Sequence, residues 1–277
     1  MLPNYHEYKI SPRRLEEAWP KDLPRYWYRD EAFATHFMNC MSPLFPPGEQ
    51  LFIDSVRAFR DQNTDPQLEA EIKGFIGQEA WHRKEHMDYD RWLTELGYPA
   101  NKMEQFTGWL LEFFKKIISK KSWLATTVCL EHFTAIMAHV LLVDRQFHQE
   151  THPHMAKVWT WHAIEEIEHK AVAWDLYQTV KGGYARRVLM MLFLSVAFPL
   201  HILGNLGVML AKDGKLLSPK TWWQGARFLL WRPGVLLKIA VPYLKFYSPW
   251  FHPWQEDERH LIHKWTSALN LSAPQRG

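Results

Sequence analysis

Two Glu-x-x-His runs, Glu79-Ala-Trp-His82 and Glu166-Ile-Glu-His169, each follow a lone glutamate, Glu49 and Glu131, about one helical hairpin upstream. On a helix each residue turns about 100°, so a glutamate and a histidine three apart project within about 60° of each other. Both pairs can therefore serve one face. The order Glu, Glu-x-x-His, Glu, Glu-x-x-His is that of a two-metal site built inside a four-helix bundle.

The periodicity supports such a bundle. Strand-like alternation is scarce and long segments carry apolar residues at helical spacing, so the fold class is all-α. A first helix is expected after Pro46-Pro47-Gly48, running to about Gln62, and a second from Asp65-Pro66 to Gly97-Tyr98-Pro99. After a crossover with an amphipathic piece from Met103 to Lys120, a third spans Ser122 to about Phe147. The fourth runs from Pro153 to Gly182-Gly183. If Glu49 and Glu79 lie level in an antiparallel hairpin, the turn falls midway, and Asn63-Thr64-Asp65-Pro66 is there. The same test on Glu131 and Glu166 lands just before His148-Gln149-Glu150-Thr151-His152-Pro153. Two hairpins joined by a long connection give a ferritin-like bundle, expected over residues 1–183, with extra helices over 184–277.

A single Glu-x-x-His usually belongs to a solvated helix face. Here the neighbours argue otherwise. Phe45, Phe52, Ile53 and Val56 flank Glu49; Ile72, Phe75 and Leu93 flank the second-helix group; Leu124, Val128, Ala138 and Leu142 flank Glu131. On the fourth helix Met155, Val158 and Trp159 precede the polar group, and Ala173, Leu176 and Val180 follow it. Each acid or imidazole interrupts an apolar stripe, which describes a buried polar layer. Carboxylates bridge hard divalent ions and imidazoles complete each coordination sphere. Four glutamates also balance the charge of two divalent ions, and without them would cost several kcal/mol each to bury. His162, one turn before Glu166, and His86, one turn after His82, point toward the same end of the cluster. His162 is a candidate ligand, while His86 and Glu165 are candidates for holding the ligands through hydrogen bonds.

These residues, with the runs Pro46-Pro47-Gly48-Glu49, Gln78-Glu79-x-x-His82-x-x-x-His86, Leu130-Glu131-His132-x-Thr134-Ala135 and Trp161-His162-x-x-Glu165-Glu166-x-Glu168-His169-Lys170, resemble a bacterial family of predicted metal-dependent hydrolases. The resemblance covers most of the chain. The ligand order with His162 is also similar to that of para-aminobenzoate N-oxygenase type di-iron enzymes. That resemblance, confined to seven positions, implies Glu49, Glu79, His82, Glu131, His162, Glu166 and His169 as iron ligands.

Composition narrows the partners. A net charge of +3 with scattered basic residues gives no nucleic-acid footprint. Two distant cysteines, Cys40 and Cys129, and an N-terminus without an apolar core suit a cytoplasmic protein. From Val188 to Leu210 no side chain but His201 is ionisable, a length that can cross a bilayer, although Pro199, Gly204, Asn205 and Gly207 interrupt it. Trp222 to Trp250 mixes aromatic residues with Arg227, Arg232, Lys238 and Lys245, an interfacial composition. Docking on the inner membrane face, a lid over the bundle and a true span all remain open for this third of the chain.

The leading expectation is a di-iron oxidase or oxygenase that uses O2 on a small or lipid-like substrate, with Glu79 and Glu166 bridging two iron ions and the other ligands terminal. Manganese or zinc would satisfy the same donors. Thr134, Ala135 and Ala138 would leave room beside the metals. The alternatives are a metal-dependent hydrolase in which the ions activate a water, and a metal-binding or membrane-associated protein without turnover. A homodimer is compatible with each.

Overall fold

Asp65 turns its carboxylate onto the amide of Gln67 and Pro66 occupies the first helical position, which starts the 30-residue α3 (Pro66–Glu95) where the sequence places it. At the other end the Tyr98 amide bonds to the Leu93 carbonyl, and Gly97 supplies the positive φ of 92° that this closure needs. The structure, a computed structural model, describes residues 9–15 and 19–271. Those residues are all-helical, with no strand among them and one isolated antiparallel bridge between Tyr28 and Thr151.

Four elements surround the site: α2 (Phe45–Arg57), α3, α5 (Lys120–Val143) and α7 (Pro153–His169). Short helices α1 (Ala32–Asn39), α6 (Arg145–Glu150) and α8 (Val172–Thr179) and the crossover α4 (Ala100–Ile117) complete the first two thirds. Helices α9 (Tyr184–Lys212), α10 (Pro219–Leu230), α11 (Val235–Lys245) and α12 (Arg259–Ala268) follow. The packing pairs α2 with α3 and α5 with α7, the two hairpins anticipated from the turn positions. An all-α ferritin-like layout is consistent with this.

Three helix limits differ from the sequence expectation. α2 starts at Phe45 because Pro46 and Pro47 sit in its first turn, where no amide is needed, and it ends at Arg57 before a separate 3-10 turn. The third helix stops at Val143: Asp144 caps the next helix by accepting from the Gln146 amide. The fourth breaks after His169, although neither proline nor glycine interrupts it, and resumes at Val172. Lys170, in the break, is buried and donates to Glu258 and to the Glu256 carbonyl, contacts unavailable to a straight helix surface residue.

Two apolar packs sandwich the polar layer. One gathers Tyr89 and Leu93 from α3 with Met155 and Trp159 from α7. The other gathers Ile72 and Phe75 with Leu124, Val128, Val172 and Leu176. α3 thus passes from the second pack to the first and α7 the reverse way, as antiparallel neighbours must.

The end of α9 is pinned by one acid. The Asp213 carboxylate accepts from Tyr26 and Tyr98, lies 2.8 Å from His36 Nε2 and pairs with Arg25, with its side chain 1% exposed. Burial raises its pKa, but the bonds from His36, Tyr26 and Tyr98 outweigh burial and hold it below the usual carboxylate range. Its contribution to stability is therefore present above the ordinary aspartate pKa and fades as pH falls toward the folded value. Asp213→Ala should cost about 2–4 kcal/mol, since it strands several buried donors. Urea denaturation at neutral pH measures this, and the deficit should shrink in acid.

Candidate metal centre

Glu49 on α2, Glu79 and His82 on α3, Glu131 on α5, and His162, Glu166 and His169 on α7 are all buried and converge on one point. Ligand atoms of Glu49, Glu79 and His82 lie within 4.8 Å of one another, as do those of Glu79, Glu166 and His169, and those of His82, His162 and Glu166. Glu131 joins through His169, whose Nε2 lies 3.5 Å from a Glu131 oxygen. Glu166 sits centrally, 3.4 Å from His82, 3.0 Å from His162 and 3.6 Å from His169. Glu49, His86 and His162 also place ligand atoms within 4.8 Å.

The three imidazoles are held from behind, and the hydrogen bonds fix which nitrogen faces inward. His169 Nδ1 lies 3.0 Å from the Gln78 side-chain oxygen, so this nitrogen carries the proton and Nε2 presents a lone pair to the acids. His82 Nε2 lies 3.1 Å from Glu165, which leaves Nδ1 inward. His162 is set by a longer chain. Ser42 donates to Asp90, so its oxygen accepts from His86 Nδ1; His86 Nε2 then accepts from His162 Nδ1, freeing His162 Nε2. Glu165 in turn pairs with Arg13, which also makes a two-pronged contact with Glu168, and Glu168 accepts from Gln78. Such outer hydrogen bonds orient imidazole ligands and raise their basicity.

Sequence spacing alone left the roles of His86 and Glu165 open, and the structure separates them: both nitrogens of His86 are engaged, and Glu165 backs His82. Gln78, Ser42, Asp90 and Arg13 carry no motif of their own. Gln78 had one signal, its position directly before Glu79.

Electrostatics describe an unfinished cluster. Burial pushes the Glu49 carboxyl well above its usual range, helped by Glu166. Burial, then Glu131 and Glu166, does the same to Glu79, and burial, then Glu166 and Glu49, to Glu131. For Glu166 burial is outweighed by His169 and His162, which hold it low. Six carboxylate oxygens of Glu49, Glu79 and Glu131, one of Glu166, and the inward nitrogens of His82, His162 and His169 are buried without a hydrogen-bond partner. Ten orphaned donor atoms at one point are what a polycation would satisfy, and nothing in the surrounding protein does.

Residues 11–257 match a family whose description is predicted metal-dependent hydrolase. The chain belongs to this family. No curated protein and no solved structure matches it significantly. The family description agrees with the donor set in requiring a metal, and the seven positions all lie within the matched span.

Two apolar spaces reach the cluster. A narrow cavity of about 80 Å³, lined by Met38, Met41, Phe45, Met137 and Val235 among others, ends at His162 and Glu166. Thr134 and Ala138 border it as the sequence suggested, whereas Ala135 does not. A larger groove of about 1190 Å³ runs between α4 and α9 and has Glu49 and Thr134 at its floor. Its walls are Leu110, Phe114, Leu194, Phe198 and similar residues, with almost no charge.

Gln78→Ala should leave the bundle folded and weaken metal binding by about 10–100-fold, because His169 loses the partner that orients it. Competition against a chromophoric chelator measures the change, and circular dichroism controls for folding.

Proposed function

We propose that Glu49, Glu79, His82, Glu131, His162, Glu166 and His169 hold two divalent metal ions, and that the protein is a metal-dependent hydrolase acting on a substrate with an apolar chain. The observation that carries the metal reading is the set of orphaned, buried donor atoms. Four carboxylates against two divalent ions also leave the buried layer close to neutral. Glu79 and Glu166 each fall in two of the tight donor groups, which supports a bridging place for both.

Bound divalent ions supply Lewis acidity, polarising a carbonyl and lowering the pKa of water near neutrality. The protein's own part is positional. Glu165, Gln78 and the Asp90–Ser42–His86 chain lock the imidazole lone pairs inward, and the Phe45, Met41 and Met137 walls exclude bulk water from the cluster. The groove walls bind alkyl or aryl carbons by burial at about 25 cal/mol per Å².

One observation favours a second reading, a di-iron oxidase using O2. The walls of both spaces that reach the cluster are nearly free of proton donors, which suits oxidation of an inert carbon chain better than protonation of a leaving group. Support for the hydrolase is the family description; support for the oxidase is the carboxylate-rich donor set and these walls.

Elemental analysis of the purified protein comes first: about two divalent ions per chain are expected, and a chain that purifies and remains metal-free in excess iron, manganese and zinc sinks both readings. The zinc and manganese forms would then be assayed on aryl esters of rising acyl length. Turnover that grows with chain length supports hydrolysis. Oxygen uptake by the ferrous form alone, with inert zinc and manganese forms, transfers the assignment to the oxidase.

A further inference from the structure

We infer that the face formed by α4, α9 and α11 seats on an anionic lipid bilayer, with the protein lying on the membrane and the groove opening into the lipid. This goes beyond the metal-enzyme reading and does not depend on it.

α9 is divided lengthwise. Met191, Leu194, Ile202 and Leu206 are buried, many of them against α5, while Leu189, Leu192, Val196, Leu200 and Leu203 are exposed, with Leu189 at 67% and Leu200 at 62%. A helix that spends one whole face on its own protein lies along the bundle instead of crossing a bilayer alone. Both α5 and α9 are long and apolar enough to span, but α5 is mostly buried and α9 is not.

Its neighbours continue the exposed band. On α4, Phe106, Trp109, Phe113 and Ile117 form one helical stripe turned to solvent. Phe114 meets Phe193 at 5.6 Å and Phe106 meets His201 at 5.8 Å, so α4 and α9 run antiparallel along the two sides of the groove. On the far side Ser195 bonds to Tyr243 of α11, whose Leu237, Val241 and Leu244 are also exposed. Three adjacent helices thus present one apolar surface, larger than an isolated soluble chain ordinarily tolerates.

Charge identifies the occupant. From Tyr184 to Trp250 the chain carries nine lysines and arginines and a single acid, Asp213, which is buried in its own ion pair. Lys212, Lys215, Lys220, Arg232 and Lys238 are exposed and have no acidic partner among the described residues. Lys116 and Lys120 lie at the end of α4 that meets the start of α9 and Arg186, so the apolar band has basic residues at both ends. A second copy of the chain would set these cations against each other. An anionic headgroup layer pairs with them, and the acyl region takes the leucines and aromatics.

Flotation with vesicles of phosphatidylcholine alone or with added phosphatidylglycerol tests this, on protein both metal-free and metal-loaded. Wild type should float with the anionic vesicles, less with neutral ones, and be partly released by high salt. The triple variant Leu189→Asp, Val196→Asp, Leu200→Asp should partition at least about tenfold more weakly. These positions are exposed, and an unchanged thermal melt confirms folding. The variant Glu49→Gln should float as wild type does, which separates this result from any failure of the metal reading. Wild type that stays unbound, aspartate variants that float normally, or a vesicle-free dimer that the same variants split into monomers would each overturn the inference.

Discussion

Glu79→Gln should lose metal and gain metal-free stability. In the proposed site Glu79 belongs both to the Glu49–His82 group and to the Glu166–His169 group, so neutralising it weakens two coordination spheres together. Metal content should fall from about two ions to one or fewer, and turnover by about a thousandfold, the equivalent of roughly 4 kcal/mol of transition-state stabilisation. The metal-free comparison runs the other way. Burial, Glu131 and Glu166 all push the Glu79 carboxyl up, so at neutral pH the empty site must either protonate it or bury repelling charge. Glutamine has the same shape and no charge to lose, and should stabilise the chelated protein by roughly 1–3 kcal/mol. A residue whose only role was structural would not move the two measurements in opposite directions. Equal metal content in variant and wild type would remove Glu79 from the site.

What the sequence made legible was local or simply periodic. Glu79 with His82, and Glu166 with His169, share faces because helical geometry dictates it, and the turns at Asn63–Asp65 and near His148 follow from hairpin symmetry. The helix starts at Asp65-Pro66 and near Pro153 are written in single residues. What escaped depends on distant partners. Arg13 reaches Glu165 and Glu168 across more than 150 positions, and no spacing rule connects them. His86 and His162 look equivalent on their helices; only Ser42 and Asp90, on other turns of the structure, decide that His86 stands behind and His162 faces in. The break after His169 likewise follows no local breaker and is associated with the buried Lys170–Glu258 pair. The apolar composition of α9 was plain, but whether it would be buried was a matter of what packs on each face.

Chelation should reverse the way stability depends on pH. In the metal-free protein Glu49, Glu79 and Glu131 are all shifted up, each first by burial and then by its acidic neighbours. A carboxyl raised on folding favours the native state at low pH, where it is protonated in both states. That advantage is lost as pH rises through the folded pKa, because the unfolded chain can ionise in water and the native cluster cannot do so cheaply. The metal-free melting temperature should therefore fall from mildly acidic to mildly alkaline conditions. Metal binding inverts the slope, since the donors must be deprotonated to ligate and affinity rises with pH. A free metal concentration a thousandfold above Kd adds about 4 kcal/mol per site, so the two melting curves should diverge as pH increases. The Asp213 contribution fades only in acid and is common to both forms, so it cancels from their difference. Parallel curves, with and without chelator, would mean that the seven buried side chains bind no cation.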